Sequence, residues 1–476
     1  MKKMNLLVMS LVSAAALSFS SCSSNDDLAG GAGNQSKVEG FYMTLAVQTP
    51  TSNGTRTQQQ DKKVDATEAE SKVTSGTFYL VNAKGEIVFT KNITEKEWLN
   101  AAPVLTTAGK TQIQVPVQNV TEGETYHVYF LANTTDAKPW ESIYTAETGF
   151  VGTYATDSKF AMFNQNDNKS RADQYTVTFT KDNKEIKTPA QVNKTIMLDR
   201  VTARIDKPTS VAEINGAIPE GATKLQEKAI NDAKAKVASI TLTKHAITNL
   251  SNKTNIMQQW NATWTDLQLP KGITYMQPQN DLGGKYDLKN GEWFTTEDKH
   301  YVFENTEVTP TTMYFEYTVA LDGNKFTDTP DCTDGTFYRY NGNIYRSIDG
   351  IYAAYADQTV LFGGKTAEAL KAELKINAEG KIGATETELA KFRQDNVIEV
   401  FVAGKTYYSQ VITDYWLGTN TIQRNTVYQL NVKNIFNVGA DVPNGVPDEN
   451  KPMYYLDVEV SVNPWVLSTQ DVNLGE

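Results

Sequence analysis

Short segments in which apolar and polar residues alternate, separated by turn-forming residues, recur along most of this 476-residue chain. A period of two is that of a strand with one buried face. The candidate strands are residues 77–81, 86–90, 111–117, 125–132, 174–180, 195–205, 239–242, 300–304, 313–320, 337–340, 396–402 and 426–432. We therefore predict a mostly β fold built from two sandwich-like domains in tandem.

Three segments have a helical period instead, residues 222–239, 366–376 and 386–393. The first of them places Leu225, Ala229, Ile230, Ala233 and Val237 on one face. It lies near the change from the first set of strands to the second. We therefore predict an N-terminal domain over residues 57–205 and a C-terminal domain over residues 206–476.

Two further alternating segments lie near the ends of the chain. The first carries Phe41, Met43, Leu45 and Val47, and the second carries Leu456, Val458, Val460 and Val462. A proline-rich segment, residues 437–452, precedes the second and is predicted to be an extended linker. The C-terminal strand region is placed at residues 455–474, which include Trp465.

These two segments have compatible patterns, because each offers four apolar side chains at a period of two. If the first fills a groove in the N-terminal domain, burial of its side chains contributes roughly 6–12 kcal/mol before opposing terms. Its removal would open sheet edges to the C-terminal strand of another copy, and such head-to-tail contacts build a fibre. The alternative is that both are ordinary terminal strands of their own domains, and Trp465 would then pack within its own domain instead of on a neighbour.

The first residues have the layout of a secretory signal, with two lysines, an apolar run and small residues before Cys22. We assign residues 1–21 to a signal peptide and residues 22–56 to a propeptide that contains the first strand. Residues 49–61 hold a proline, an Asn-Gly pair, three glutamines and the single arginine Arg56. They are predicted to form an exposed, protease-accessible loop.

Other function classes find little support in the residues. The net charge is −11, and the basic residues form no block that could follow a phosphate backbone, so nucleic-acid binding is not expected. The three histidines are more than fifty positions apart along the sequence and belong to no catalytic motif: His127, His245 and His300. Cys332 lies in an acidic loop, residues 328–335, which should raise its pKa, and the loop is predicted to form turns more readily than a Ca²⁺ site. No metal or cofactor is expected.

Several motifs resemble the fimbrillin family of Bacteroidetes-type bacteria, particularly its minor-fimbrium (Mfa-like) and FimA-like shaft subunits. Cys22 resembles a lipobox cysteine, followed by an acidic export signal. Residues 199–204 (DRVTAR) are similar to the family's R-x-x-A-R strand. Residues 424–428 (RNTVY) resemble its R-N-x-x-Y strand, and residues 458–465 (VEVSVNPW) resemble its V-x-V-x-V-x-P-W segment.

The resemblance implies two transthyretin-like sandwich domains and a structural, non-enzymatic role in adhesion and biofilm formation. It implies a precursor held in the outer membrane by an acyl chain such as palmitate on Cys22. An Arg-specific protease would cut after Arg56 and leave Thr57 as the new N-terminus. Subunits would then join by donor-strand exchange in an extracellular fimbrium whose partners are further copies, related subunits, and host or bacterial surface receptors.

An alternative function is that of a monomeric cell-surface lipoprotein that binds glycans. Trp260, Trp264 and Trp293 could stack on sugar rings if they are exposed. A tip subunit is a third alternative, but the resemblance implies that tip members lack a free C-terminal donor strand, which this chain carries.

Overall fold

The strands form in segments with the predicted alternation, and turns rich in Gly, Asn and Asp separate them. The computed structural model describes residues 40–48, 64–99, 102–103, 110–134, 138–144, 150–167, 171–276, 293–358, 360–414, 417–443 and 456–467. Within these ranges, no helix combines the length and apolar character needed to cross a membrane.

The regular secondary structure of the first half of the chain is mainly strand. Its strands are β1 (Phe41–Gln48), β2 (Val64–Ala66), β3 (Gly76–Val81), β4 (Ile87–Ile93), β5 (Ala102–Pro103), β6 (Lys110–Val117), β7 (Thr125–Ala132), β8 (Ser142–Tyr144), β9 (Met162–Asn164), β10 (Thr176–Thr178), β11 (Ala190–Gln191), β12 (Ile196–Arg200), β13 (Ala203–Asp206) and β14 (Thr209–Ser210). Two short helices lie among them, α1 (Glu68–Ser71) and α2 (Glu95–Leu99).

The second half adds longer helices. Its strands are β15 (Val237–Thr248), β16 (Leu250–Ser251), β17 (Lys253–Asn255), β18 (Gln259–Trp260), β19 (Leu267–Gln268), β20 (Tyr275–Met276), β21 (Lys299–Val302), β22 (Thr312–Leu321), β23 (Phe337–Tyr340), β24 (Asn343–Tyr345), β25 (Glu399–Phe401), β26 (Lys405–Val411), β27 (Thr426–Ile435) and β28 (Leu456–Leu467). Its helices are α3 (Lys224–Lys236), α4 (Ile348–Ala354), α5 (Ala367–Leu374) and α6 (Glu386–Asn396). The predicted mostly β fold and the three predicted helices are confirmed.

Two large sheets organise these strands. One has ten strands in the order β4-β3-β7-β9-β12-β1-β6-β5, with β10 paired to β7 and β11 paired to β1. The other has six strands in the order β2-β28-β27-β13-β21, with β14 paired to β27. β15, β22 and β26 form a further antiparallel sheet. The two alternating segments near the ends of the chain are thus strands of different sheets.

The buried apolar residues form three clusters. The first is built almost wholly from residues 41–201, the second from residues 203–438, and the third packs α4, α5 and α6 against β23 and β25. The first two clusters separate close to the predicted boundary, although Ile256, Phe303 and Val427 from the second half belong to the first cluster. The domain limits themselves stay a prediction.

Two details differ from the sequence-based predictions. Leu225 was expected on the buried face of α3 but is 63% exposed, because only Ala229, Ile230 and Ala233 of that helix are turned inward. The first residues of the expected linker are packed, since Val438 is fully buried and Ala440 exchanges backbone hydrogen bonds with Tyr407. The extended linker is therefore not present at residues 437–441, and residues 444–455 lie outside the described residues.

Candidate assembly site

β1 places its alternating side chains where the sequence pattern predicts. Phe41 is 8% exposed, Val47 is 1% exposed, and Met43 and Leu45 are fully buried. All four belong to the first apolar cluster. The strand is therefore part of the core of this half of the molecule.

The backbone of β1 is paired along both sides. All eight of its residues pair antiparallel with β6, from Phe41 opposite Val117 to Gln48 opposite Lys110. On its other side β1 runs parallel to β11 and β12. In the described sheet it is the strand that joins β6 to β12, so its removal would leave two open edges with unpaired N–H and C=O groups.

One end of β1 is held by aromatic and cationic contacts. The ring of Phe41 lies 5.3 Å from the ring of Phe179, and the Lys184 ammonium lies 5.3 Å from the Phe41 ring centroid. Ring pairs at such distances are favourable beyond simple burial, and a cation over the ring face adds attraction. Phe41 is therefore anchored more specifically than the aliphatic side chains that follow it.

The opposite face of β1 has a buried polar position. Thr44 is 6% exposed, and its hydroxyl accepts a hydrogen bond of 3.1 Å from Nε2 of Gln191. Gln191 is also the registered neighbour of Thr44 in the parallel pairing with β11. The groove that holds β1 thus contains one polar recognition point among apolar ones.

β28 contains the predicted donor strand, and its backbone is paired within its own chain. It runs antiparallel to β27, from Pro464 opposite Thr426 to Leu456 opposite Ile435, with an irregularity between Val432 and Asn434. Its last residues run parallel to β2, with Trp465 opposite Val64 and Leu467 opposite Ala66. Leu456, Val458, Val460, Val462 and Trp465 all lie in this strand.

β2 continues directly into α1, which is anchored deep in the fold. Thr67 caps α1, and the Thr67 and Glu70 side chains hydrogen-bond each other's backbone N–H groups in a capping box. Glu70 is 1% exposed and receives further hydrogen bonds from Lys299 Nζ at 3.0 Å and from the Tyr301 hydroxyl at 2.8 Å. An ion pair with Arg204 at 3.2 Å completes its surroundings.

The pKa of Glu70 shows which effect prevails at this position. Burial acts to raise it, but the hydrogen bonds from the Thr67 N–H, Tyr301 and Lys299, together with the charge of Arg204, lower the pKa to about 2. The carboxylate is therefore charged at neutral pH. It ties the segment that follows β2 to β13 and β21.

The two arginine motifs identified in the sequence meet at this point. Arg200, which is fully buried, donates from Nη1 to Asn425 Oδ1 at 2.9 Å and from Nε to the Glu70 carbonyl oxygen at 2.7 Å. Asn425 donates from its side chain to Asp199 at 3.0 Å and from its backbone N–H to the Thr202 carbonyl at 2.8 Å. The motifs are therefore parts of one polar junction between the halves of the chain.

The neighbouring arginine forms a second buried contact. Arg424 pairs with Glu304 at 2.6 Å and donates to the carbonyl oxygens of Ile256 and Asn255 at 2.7 and 2.6 Å. Both charged groups are almost completely buried, so removal of either would leave an uncompensated charge. The Arg424-Asn425 pair thus fixes the start of β27, the strand on which β28 lies.

Sequence reasoning identified these motifs as family signatures but did not foresee their contacts, and it missed Glu70. The local signal for Glu70 was the Thr67-x-x-Glu70 spacing, which is typical of a capping box. Cys22, Arg56 and Thr57 lie outside the described residues. Their assignments stay predictions.

The remaining candidate residues have structural surroundings. His245 in β15 and His300 in β21 are buried, with their Nε2 atoms 2.8 Å apart, and burial lowers their pKa values to about 3 and about 4. His127 lies in β7 and contacts the Asp173 carbonyl. Burial and the nearby Asp334 and Asp331 raise the pKa of Cys332 to about 11, which agrees with the expectation for its acidic loop.

The acidic loop contributes to local turns and ion pairs. Asp334 accepts from the Thr336 N–H at 3.0 Å, Asp331 accepts from the Ile348 N–H at 2.7 Å, and Asp328 pairs with Arg346. Among the residues that the structure describes, no group of three or more His, Cys, Asp or Glu side chains is arranged to hold a metal ion.

The three candidate tryptophans are half-buried. Trp260 donates from Nε1 to the Asn166 carbonyl at 2.8 Å, and the Arg171 guanidinium lies 4.7 Å over the Trp264 ring. The Trp293 ring lies 5.8 Å from Tyr407. Each tryptophan therefore has a partner in its own chain.

Two family profiles match the chain. The profile described as major fimbrial subunit protein (FimA) matches residues 42–219, which begin in β1. The profile described as major fimbrial subunit protein type IV, fimbrillin, C-terminal, matches residues 399–471, which include β27 and β28. Together the matches span about half of the chain and contain β28 and all of β1 except Phe41. No curated protein sequence matched the chain.

Several solved structures also match over most of their length. A candidate cell adhesion protein from Parabacteroides distasonis shares 14% identity, covers 90% of this chain and 99% of its own, and gives a TM-score of 0.45. A fimbrilin from Porphyromonas gingivalis shares 15% identity over 90% of this chain and 98% of its own, with a TM-score of 0.42. The fimbrial anchor protein Mfa2 from the same species shares 9% identity over 90% and 99%, with a TM-score of 0.26.

The family assignment rests on the two profiles and on the motifs that they contain. The first profile includes Arg200 and Arg204, and the second includes Arg424, Asn425 and Tyr428. Four of these five residues meet in the junctions described above, and the Tyr428 hydroxyl accepts from the Gln423 N–H at 2.8 Å close by. The chain belongs to the fimbrillin family, whose members are structural subunits of fimbriae and not enzymes.

Proposed function

We propose that this protein is a shaft subunit of an extracellular bacterial fimbrium that polymerises by donor-strand exchange after proteolysis at Arg56. The observation that carries the proposal is the position of β1. β1 is central in its sheet and buried on its apolar face. Its covalent connection to the strands that follow is residues 49–63, which contain Arg56. One cut there would detach a core strand.

The energetics of β1 explain why a cut would be needed. Burial of Phe41, Met43, Leu45 and Val47 contributes on the order of 6–12 kcal/mol before opposing terms. An intact chain keeps this strand beside its groove, so an external strand competes poorly. A cut chain can lose β1 by dissociation, and its open edges can then take a strand from another copy.

β28 is our candidate for that external strand. Val458, Val460 and Val462 have the spacing of Met43, Leu45 and Val47. A copy that gives its β28 to one neighbour and receives a strand from another forms a head-to-tail contact that does not close on itself. A fibre follows, with adhesion to host or bacterial surfaces and biofilm formation as its expected roles.

Export would precede assembly. The signal peptide, residues 1–21, and Cys22 support a precursor that is acylated and held in the outer membrane. Removal of residues 22–56 would release the subunit from this lipid and open its groove in the same step. Anchoring and assembly would thus exclude each other.

The test is digestion of the purified precursor with an Arg-specific protease, followed by N-terminal sequencing and size-exclusion chromatography. A new N-terminus at Thr57, together with oligomers that resist mild detergent, is the expected result. Arg56→Ala should remain uncut at this site and monomeric. A product cut at Thr57 that stays strictly monomeric would contradict the proposal and favour the glycan-binding alternative.

A further inference from the structure

The groove of β1 contains a polar position that an incoming strand must also satisfy. Thr44 is buried, and its hydroxyl is hydrogen-bonded to Gln191 of β11. Gln191 itself is exposed, so water can also solvate its amide, and the constraint lies at the buried Thr44 position. A polar group placed at that position without a partner would be costly, and the Gln191 amide is the donor that the structure shows there. Gln191 Nε2 also donates to the Pro189 carbonyl at 3.2 Å, which holds the amide in place.

The C-terminal strand carries one small hydroxyl residue between two valines. Ser461 lies between Val460 and Val462, just as Thr44 lies between Met43 and Leu45. If Ser461 takes the position of Thr44, the two valines take the positions of Met43 and Leu45, which are both fully buried. This holds whichever way the strand runs, because reversal about Ser461 only exchanges the two valines.

Other registers fit less well. A shift by one residue would turn the valines to the opposite face of the sheet. A shift by two would place Glu459 or Asn463 at the buried Thr44 position, and a carboxylate there would lose its hydration. With Ser461 at this position, Pro464 falls at the end of the groove, at Phe41 or Val47, where a missing N–H is tolerated best.

We propose that Gln191 sets the register of assembly by binding the hydroxyl of Ser461 from a second copy of this chain. The inference rests on the proposed function, since it names the residues that would bind the donor strand and fix its register in that exchange. Gln191 is a positioning residue for the exchanged strand.

Cysteine cross-linking tests the register directly. Neighbouring positions on paired strands lie within the Cα separation that a disulfide spans. In a Cys22→Ser background, Gln191→Cys is combined in turn with Ser461→Cys, Glu459→Cys or Asn463→Cys. After cleavage and mild oxidation, the Ser461→Cys pair should give a ladder on non-reducing gels at least several-fold stronger than the other pairs. The uncut Thr44→Cys, Gln191→Cys chain should form an internal disulfide and serves as the geometric control.

The outcomes separate this inference from the proposed function. Oligomers that cross-link through position 459 or 463 in place of 461 would overturn the register and leave donor-strand exchange intact. A parent chain that is cut but forms no oligomer would overturn both. As a second measurement, Ser461→Thr should polymerise at the parent rate and Ser461→Val several-fold more slowly; equal rates for the two variants would contradict a role for the hydroxyl.

Discussion

The first and last strands of this chain are held in different ways. β1 is central in a ten-stranded sheet and is paired by β6 along its whole length. β28 is paired by β27 along most of its length, but its other neighbour is β2, which has only three residues. The first strand is therefore enclosed by its sheet, while the last is covered on one side by a short strand that Glu70 anchors through α1.

In the proposed exchange, this difference would give the two ends of the molecule different roles. β1, enclosed in its sheet, would need a covalent cut before another strand could replace it. A strand next to a short partner needs only local separation, which is a low-energy opening in many folds. The following experiments either break this comparison or refine it.

The largest expected effect is at Glu70. Glu70→Ala would leave the buried Arg204 with Asp206 as its carboxylate partner and would remove the acceptor of Lys299 and Tyr301. Because several buried polar contacts are lost together, we expect a loss of about 3–5 kcal/mol in the free energy of unfolding. Urea denaturation of the uncut precursor measures it. Glu68→Ala, on the exposed side of the same helix, is the matched control. Equal stability of the two variants would contradict the role of Glu70 in anchoring α1 and, through it, β2.

The second effect concerns β1 alone. Leu45→Ala removes a fully buried side chain and should cost about 2–5 kcal/mol in the uncut precursor. Because β1 is then held less tightly, its release after cleavage should be at least tenfold faster, as followed by the appearance of free propeptide. Gln48→Ala, at the half-buried end of the same strand, is the control and should change the release little. An unchanged release rate for Leu45→Ala would show that β1 does not limit exchange.

The third effect is a pH dependence of the anchor. The pKa of Glu70 is lowered to about 2, so its stabilising contribution is present above its unfolded-state pKa near 4.5 and is lost as the pH falls towards 2. The loss should amount to about 3 kcal/mol over this window. Thermal unfolding at pH 6, 4.5 and 3 should show about 2 kcal/mol of this loss, because the remainder falls below pH 3. Glu70→Gln should flatten the curve, and a parallel decline in both proteins would assign the dependence to other carboxylates.

The smallest effect is expected at β2. Asp65→Pro removes one backbone N–H from the strand that borders β28, and its effect on global stability should stay below about 1 kcal/mol because the strand is short. Hydrogen exchange should rise in residues 456–467 and stay unchanged in residues 41–48. Residues 41–48 thus serve as the internal reference for residues 456–467 in the same sample. An equal rise in hydrogen exchange in both strands would contradict the expectation that they are stabilised independently.

The sequence predicts local features of this fold better than its distant contacts. The alternation of Phe41, Met43, Leu45 and Val47 was sufficient to identify a strand with one buried face, and the bounds of β7 coincide with the predicted strand. These features depend on neighbouring residues along the chain. They needed no knowledge of the partner strands.

The polar junction could not be predicted in the same way. Glu70 meets Arg204 and Lys299 across 134 and 229 positions of sequence, and no local pattern encodes such pairings. The packed residues 437–441 were missed for the same reason, because Tyr407 and Arg393 hold them from distant segments. The glycines and prolines of residues 437–452 made the whole segment resemble a linker, although the backbone of its first residues has fixed partners.

The covalent connection between β1 and β2 determines whether the proposed replacement of β1 by another strand is reversible. While β1 is joined to the fold, its effective concentration at the groove is set by a short tether and lies in the millimolar range or above. A cut within residues 49–63 turns the same contact into an ordinary bimolecular one. In the proposed precursor the detached strand stays in the outer membrane through Cys22, while the subunit that has lost it diffuses away. Hydrolysis of one peptide bond would therefore make the release irreversible, since a strand left behind in the membrane cannot compete with the next subunit for its former place.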